Sequence, residues 1–439
     1  MDARQNAAWE ILSRLRSAGF EAYYVGGCVR DLVMGREPKD YDIASNARPE
    51  EALALFPEAS SVGAQFGVII VPRPEGPVEV ATFRSDGVYA DGRHPTEVRY
   101  AESPAEDVRR RDFTINGLLF DPAEERVIDF VGGQEDIRAR RIRAIGDAYA
   151  RFREDHLRML RAVRFAARFG FSLDAPLREA VRELAPLVQQ VSRERVRDEI
   201  LKILTEGAPR RGFELLDDTE LLAVVLPEVK ALQGVQQPPQ FHPEGDVWTH
   251  TLMMLDGLIK PSATLALGVL LHDIGKPPTF SVRDRIRFDH HAEVGARMAA
   301  EICNRLRLPS RQTLRVEELV QHHLRFKDLP QMRRSTQLRF IRMDGFAEHL
   351  ELHRLDCAAS HGNLSNYELA GRLLREVPQE AMKPRPLLRG DDLIAQGYRP
   401  GPAFKEILRA VEDAQLEGSI RTSEEALRLV EDKFPRAGF

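Results

Sequence analysis

Only three cysteines, Cys28, Cys303 and Cys357, occur in 439 residues. So few and so scattered, they exclude a disulfide framework and a cysteine-based zinc site. No apolar run approaches the ~18 residues that cross a bilayer; the longest near it, Leu265–Leu271, reads as a short core segment. A membrane-spanning helix is therefore excluded, and 30% charged residues fit a soluble chain. The N-terminus also lacks a long apolar stretch. Trp9, Leu12 and Leu15 share one face of an expected amphipathic helix that carries Asp2 and Glu10, so no secretion signal is expected. A reducing, cytoplasmic setting follows. The length exceeds what one core fills, which predicts roughly two to four domains.

What is present is unevenly placed. The net charge is only −5, yet residues 138–168 carry ten arginines (138, 140, 141, 143, 151, 153, 158, 161, 164, 168) against Asp147, Glu154 and Asp155. Ten of the twelve histidines fall between His242 and His361. Two chemistries in two regions are expected.

The first ~135 residues read as mixed α/β. Val68–Val71 and Val78–Thr82 are β-rich runs joined by the turn-forming Pro72-Arg-Pro-Glu-Gly-Pro77, which predicts a hairpin. From about 138 the pattern turns helical, with Phe152, Met159, Leu160, Val163 and Ala167 at helical spacing and Gly170 as a stop. Gln236–Pro243 and Val377–Pro386 read as breaks, and helices are expected around Ala403–Ala414 and Ser423–Lys433.

Val25-Gly-Gly-Cys-Val-Arg-Asp31 precedes Lys39-Asp-Tyr-Asp-Ile43. Adjacent glycines let backbone N–H groups approach a phosphate, although most such pairs are simple turns. With Tyr41 and Ile43 in a core, Asp40 and Asp42 share the other face of a strand. Carboxylates that close repel unless a divalent cation lies between them. Glu79, flanked by Val78 and Val80, is either a third carboxylate of that cluster or a solvated strand residue.

Gly26-Gly27, Arg30-Asp31, Asp40-x-Asp42, Arg110-Arg-Asp-Phe-Thr-Ile-Asn116 and Glu154-Asp-x-x-Arg158 resemble, in that order, the motifs of the class II tRNA nucleotidyltransferases and bacterial poly(A) polymerases. The resemblance covers about residues 20–235. It implies an α+β fold: a DNA polymerase β-like nucleotidyltransferase head, a small mixed sheet with helices, then all-α neck, body, HD and tail domains. Expected bounds are 1–137 for the head, 138–235 for neck and body, 236–376 for the HD domain and 377–439 for the tail. By resemblance Asp40, Asp42 and Glu79 are catalytic and hold two Mg²⁺ ions. Gly26, Gly27, Arg30, Arg111 and Asp112 bind the nucleotide, with Arg158, Arg161 and Arg164 beside them. Asp155 and Arg158, three apart on an expected helix and so on one face, act as a base template. A carboxylate only accepts hydrogen bonds and a guanidinium only donates. Cytosine and adenine both offer an amino donor beside a ring acceptor, whereas uracil and guanine set a carbonyl against the carboxylate. Such mismatches can discriminate by about 10⁴-fold, so CTP and ATP are admitted. The arginine-rich stretch suits phosphate contacts to the triphosphate and to RNA. In the family a loop at Arg84–Pro95 is associated with addition of the final A.

His250, His272-Asp273, His290-His291, His322-His323 and Asp356 are strung through expected helices, a donor set for divalent metal. The order resembles the HD phosphohydrolases over about 245–360. Carried over, the ligands are His250, His272, Asp273, His291, His323 and Asp356, holding Mg²⁺ or a divalent transition metal. The resemblance implies a phosphatase or 2′,3′-cyclic phosphodiesterase, or a metal-holding scaffold without turnover. The whole then reads as an enzyme adding CCA, or its terminal A, to tRNA from CTP and ATP. The alternatives are a poly(A) polymerase, or an HD phosphohydrolase whose head only binds RNA.

Overall fold

Period-two burial builds the head. In the computed structural model, which describes residues 2–60, 67–86, 98–240 and 242–435, Val78 and Val80 are buried while Glu79 between them is exposed, as on a strand with one face against a core. Six strands, β1 (Ala22–Val25), β2 (Asp42–Ser45), β3 (Val68–Val71), β4 (Val78–Thr82), β5 (Leu118–Asp121) and β6 (Arg126–Asp129), form one mixed sheet in the order β3-β4-β2-β1-β5-β6. The expected hairpin is there: β3 and β4 are antiparallel, with Val71 opposite Val78. β2 runs parallel to β4 with Ile43 opposite Val80, so Asp42 and Glu79 come one residue earlier on neighbouring strands. β1 is antiparallel to β2 and sets Val25, the residue before Gly26, opposite Asp42.

Helix α1 (Ala3–Ser17) is capped by Asp2, which accepts from the Gln5 amide at 2.7 Å. It buries Leu12 and Leu15 and half-buries Trp9. Helix α2 (Gly27–Val33) starts at the glycine pair, and α3 (Pro104–Arg109) precedes the Arg-Arg-Asp motif. Arg84–Asp86 pairs with Val98–Tyr100 in a separate ladder. Residues 87–95 of the loop expected at Arg84–Pro95 lie outside the described residues.

The helix expected across Asp155 and Arg158 is two helices, α4 (Ala148–Glu154) and α5 (Arg158–Phe169). Asp155 is extended, with φ −145° and ψ 105°. Its carboxylate accepts from the Leu157 amide at 3.0 Å, the local competition for backbone donors that makes Asp a poor helix-interior residue. Asp155 and Arg158 therefore flank a break and do not share one helix face. Gly170 ends α5 with φ +70°, as expected. Helix α6 (Arg193–Thr205) packs against α5. These elements lie in one compact unit, Met1–Lys230 with Arg305–Leu308.

The other unit, Ala231–Asn304 with Pro309–Phe439, is helical apart from one short hairpin among its described residues. Its relevant helices are α7 (Val247–Asp256), α8 (Ala263–Leu271), α9 (His291–Arg305), α10 (Ser310–His322) and α11 (Phe346–Ala359). Leu265–Leu271 is buried throughout. A Cβ on Gly275 would collide with the His291 carbonyl oxygen and the Gly295 backbone, so the turn after α8 closes on α9 only as glycine. The tail helices Ala403–Leu416 and Ser423–Lys433 contribute Ile407, Val411, Ala426 and Val430 to one core with Leu388, Leu393 and Tyr398.

Phe113, inside the Arg-Arg-Asp motif, is 1% exposed and meets Phe165 edge to face at 5.9 Å. Phe113→Ala is expected to destabilise the unit by about 3–5 kcal/mol, read by equilibrium urea unfolding. A loss under about 1 kcal/mol would mean that the site collapses around the gap.

Candidate functional site

The sheet register sets the acids of the head side by side. Burial, then Asp40, then Glu79 push the Asp42 carboxyl up to about 7, against a smaller opposing pull from Arg111. That is the signature of carboxylates sharing space that a cation could fill. Asp40, Asp42 and Glu79 line a cavity of about 360 Å³, with Arg4 and Lys39 on its wall.

Asp42 also faces a second cavity, of about 400 Å³. Gly26, Gly27, Arg30, Arg111 and Asp112 line it, and so do Asp155, Arg158 and Arg161. Gly26 has φ +75°, a left-handed backbone that favours glycine, and a Cβ there would sit 3.2 Å from Arg111 Nη1, tighter than an ordinary contact. Asp107, 1% exposed, accepts from Arg110 Nε at 2.8 Å and Arg111 Nη2 at 2.9 Å and holds both arginines. Asp112 is the hub of a chain. It accepts from Arg161 Nε at 2.8 Å and from Asn116 Nδ2 at 3.1 Å, while Asn116 Oδ1 accepts from Arg30 Nη1 at 2.7 Å. Burial alone would raise the Asp112 carboxyl, but Arg161 and Asn116 hold it down at about 2. Arg30 stacks on Phe169, 4.6 Å from the ring centre.

Asp155 and Arg158 meet at this cavity from either side of the helix break, each with its own partner. Arg158 Nη1 donates to Glu154 Oε2 at 2.6 Å, and Arg195 Nη2 donates to Asp155 Oδ2 at 2.7 Å. Arg164 does not join them: it is buried and donates to Glu199 at 2.6 Å. Other arginines of the stretch are also tied to acids of the fold, with half-exposed Arg141 and Arg143 on buried Asp136 and Arg168 on Glu206. Sequence reasoning missed Phe165 and Arg195 on the wall. Arg110 and Asn116 lay unassigned inside the quoted motif.

In the helical unit His250, His272, Asp273, His291, His323 and Asp356 converge. His250, His272 and Asp273 offer ligand atoms within 4.8 Å of one another, and so do Asp273, His291 and His323, which makes Asp273 common to both groups. His250 Nε2 is 3.2 Å from Asp356 Oδ1 and His272 Nε2 is 3.1 Å from Asp273 Oδ2. Both nitrogens are buried and lack an aligned hydrogen bond, as ligand atoms awaiting a cation would be. The opposite ring nitrogens are fixed: His272 Nδ1 on the Val269 carbonyl, His291 Nδ1 on Phe288 and His323 Nδ1 on Val320. Such contacts orient metal-binding imidazoles. His290 points to solvent with its side chain 83% exposed, while His291 faces the cluster. Burial pushes His323 down to about 3, so its imidazole is neutral at pH 7.

The stretch Gln236–Pro243, read as a break, also supplies the site. Gln237 Oε1 accepts from Lys276 Nζ at 2.5 Å, and Lys276 lies 2.6 Å from Asp273. Glu244, just beyond it, holds His250 Nδ1 at 2.7 Å and His242 Nδ1 at 2.9 Å. Nothing in the spacing marked Lys276, Glu244 or Gln237. The cavity at this cluster is about 190 Å³.

Residues 22–143 match the poly A polymerase head domain, 170–233 the probable RNA and SrmB-binding site of polymerase A, and 247–354 the HD domain. Domains of the first and third kinds generally depend on divalent metal. The CCA-adding enzyme of Geobacillus thermodenitrificans (strain NG80-2) is 45% identical over 211 residues, 48% of this chain and 52% of that protein. That of Bacillus mycoides (strain KBAB4) is 37% identical over 254 residues, 57% of this chain and 64% of that protein. The chain thus matches only about half the length of its Geobacillus relative. Among solved structures, the Bacillus stearothermophilus CCA-adding enzyme in complex with CTP is 28% identical with a TM-score of 0.74, covering 100% of this chain and 99% of that one. A Thermotoga maritima CCA-adding enzyme complexed with tRNA shares the fold, with a TM-score of 0.59 at 19% identity, covering 98% and 96%. No helix among the described residues is long and apolar enough to cross a membrane.

A carboxyl whose folded-state value is raised favours folding only while protonated. The Asp42 contribution is therefore lost as pH climbs from about 4 to about 7. Asp42→Asn is expected to stabilise the cation-free chain at pH 8 by roughly 2–4 kcal/mol, and to change little at pH 4. Denaturant melts in EDTA at both pH values measure it; equal effects at the two would refute the coupling.

Proposed function

We propose, from a chain whose residues 22–143 belong to the poly A polymerase head-domain family and whose residues 247–354 belong to the HD-domain family, that it is a template-independent tRNA nucleotidyltransferase. It adds CCA, or the terminal A, to tRNA 3′ ends from CTP and ATP. The observation that carries the reading is a single cavity where Asp42, the Arg111–Asp112 pair and the base-reading set Asp155 and Arg158 face one another. The CTP and tRNA named for the related structures fit these chemistries.

The residues divide the work. Gly26, Gly27, Arg30, Arg111 and Arg161 hold the triphosphate, with Asp112 fixing Arg161 and taking the ribose. Asp155 accepts the amino group shared by cytosine and adenine, and Arg158 donates to the adjacent ring nitrogen. The tRNA 3′-hydroxyl attacks the α-phosphorus and pyrophosphate leaves. Asp40, Asp42 and Glu79 would hold two Mg²⁺ ions, which when bound lower the hydroxyl pKa and stabilise the leaving charge. In the HD domain, His250, His272, Asp273, His291, His323 and Asp356 would hold Mg²⁺ or a divalent transition metal for phosphomonoester or 2′,3′-cyclic phosphodiester hydrolysis. The buried Nε2 atoms of His250 and His272, each set against a carboxylate of the same cluster, support that fit. Divisions near 137, 235 and 376 and a cytoplasmic location belong to the same reading; the compact unit ending at Lys230 supports the second division.

The test is incorporation of each nucleotide into tRNA lacking CCA, tRNA ending in C, tRNA ending in CC, and a generic RNA. The expected result is C, C, then A on tRNA. A alone, and only after CC, marks the A-adding form. Long A tracts on generic RNA would refute tRNA specificity. Asp42→Ala is expected to lower incorporation by at least about 10³-fold without unfolding the chain. Asp273→Ala is expected to abolish metal-dependent hydrolysis of a 2′,3′-cyclic nucleotide while incorporation persists; hydrolysis surviving in that variant removes the HD assignment.

A further inference from the structure

Asp155 can accept a base amino group only if its carboxylate stays turned as an acceptor toward the cavity, and its two oxygens are held by different means. Oδ1 accepts from the Leu157 amide at 3.0 Å, a contact local to the helix break. Oδ2 accepts from Arg195 Nη2 at 2.7 Å, across 40 residues of sequence. Arg195 itself lines the cavity. It lies in the first turn of α6, where the helix dipole disfavours a cation. Asp155 therefore offsets an unfavourable placement of Arg195, and Arg195 in turn fixes Asp155.

We propose that Arg195 is the positioning residue for base choice: its guanidinium locks the Asp155 carboxylate as a hydrogen-bond acceptor, and so excludes uracil and guanine. The inference rests on the nucleotidyltransferase reading above and deepens it. A guanidinium has only donors, so the oxygen facing Arg195 cannot carry a proton directed at it. A carboxyl free to rotate or to take up a proton could instead offer an O–H to O4 of uracil or O6 of guanine, and the discrimination would fail. Arg158, the other reader, is pinned in the complementary way. Its guanidinium rests on Glu154 at 2.6 Å and on the Arg110 carbonyl at 3.2 Å. Each reading group thus has a partner of opposite charge, and only the partner of Asp155 comes from α6.

The experiment compares the intact chain with Arg195→Ala, Arg195→Met and Arg195→Lys. Two readouts are taken for CTP, ATP, UTP and GTP: equilibrium binding, and kcat/KM for single-nucleotide incorporation into tRNA. The CTP-over-UTP and ATP-over-GTP ratios are expected to fall at least about tenfold in the Ala and Met variants and to recover in the Lys variant. A merely structural loss would weaken all four nucleotides alike. Unchanged ratios in a folded Ala or Met variant overturn the inference while leaving the nucleotidyltransferase reading intact. An intact chain that shows no preference for CTP and ATP in either readout overturns the reading of the cavity, and this inference with it. If Ala melts early, Met keeps the side-chain length without the donors and carries the comparison.

Discussion

The head is organised around mutual repulsion among three carboxylates. Strand register, not local preference, brings Asp42 beside Glu79, and Asp40, in the irregular stretch just before β2 rather than on the expected strand face, lines the same cavity. In the absence of a cation, the cluster is relieved only by a proton on Asp42, whose carboxyl is pushed up to about 7. A core selected for stability alone would replace one of these acids. Like charges gathered around the partly buried Asp42 are the kind of local conflict that marks a site whose partner is not part of the chain. The glycine pair answers the same constraint. It removes side-chain bulk where Arg111 comes near the end of β1, so that the guanidinium and the glycine backbone line one cavity with Asp42.

Around this cluster the arginines are pinned rather than free. A guanidinium in a partly buried wall loses hydration, and a well-aligned carboxylate restores the lost hydrogen bonds while fixing its direction. Asp107 serves Arg110 and Arg111, Asp112 serves Arg161, and Glu154 serves Arg158. Asn116 links Arg30 to Asp112 and carries no charge of its own. This is why a stretch with ten arginines, which in isolation looks like a phosphate-binding face, delivers chiefly Arg158 and Arg161 to the cavity. Arg141, Arg143, Arg164 and Arg168 serve Asp136, Glu199 and Glu206 inside the fold. Composition counts charges; only contacts divide them between ligand and scaffold.

The same difference separates what could be read from sequence from what could not. The hairpin, the first helix and the apolar helix before His272 follow from periodicity and turn residues, because a repeating backbone imposes its period on burial. Asp155 broke the rule: the helical pattern runs from Phe152 to Ala167, but the carboxylate takes the Leu157 amide and splits the helix there. His291 and His323 were legible as ligand types because the donors themselves are in the sequence. Gln237 and Glu244 were not, since an irregular segment has no period and any polar residue in it looks like solvent-facing chain. Yet Glu244 fixes His250, and Gln237 holds the lysine beside Asp273. Asp273 shows what is gained when both kinds of information meet: one carboxylate shared by two groups of donors, which spacing alone cannot establish.

A protein that chooses a nucleotide without a nucleic-acid template must make its own side chains as directional as a base edge. A base edge is rigid because it is a ring; a carboxylate on a two-bond stem is not. The missing rigidity has to be supplied by contacts, and a single contact leaves rotation about the remaining bond. Asp155 has two, one local and one from α6. The local one is encoded by the sequence around it. The distant one depends on how α5 and α6 pack, a contact that Arg164 Nε fixes by donating to Glu199 Oε2 at 2.6 Å. Selectivity in such a site is then a property of helix packing as much as of the reading pair. Substitutions that shift α6 by a fraction of an ångström should erode base choice before they erode catalysis, because Asp42 and Glu79 sit on the sheet and are held by strand register.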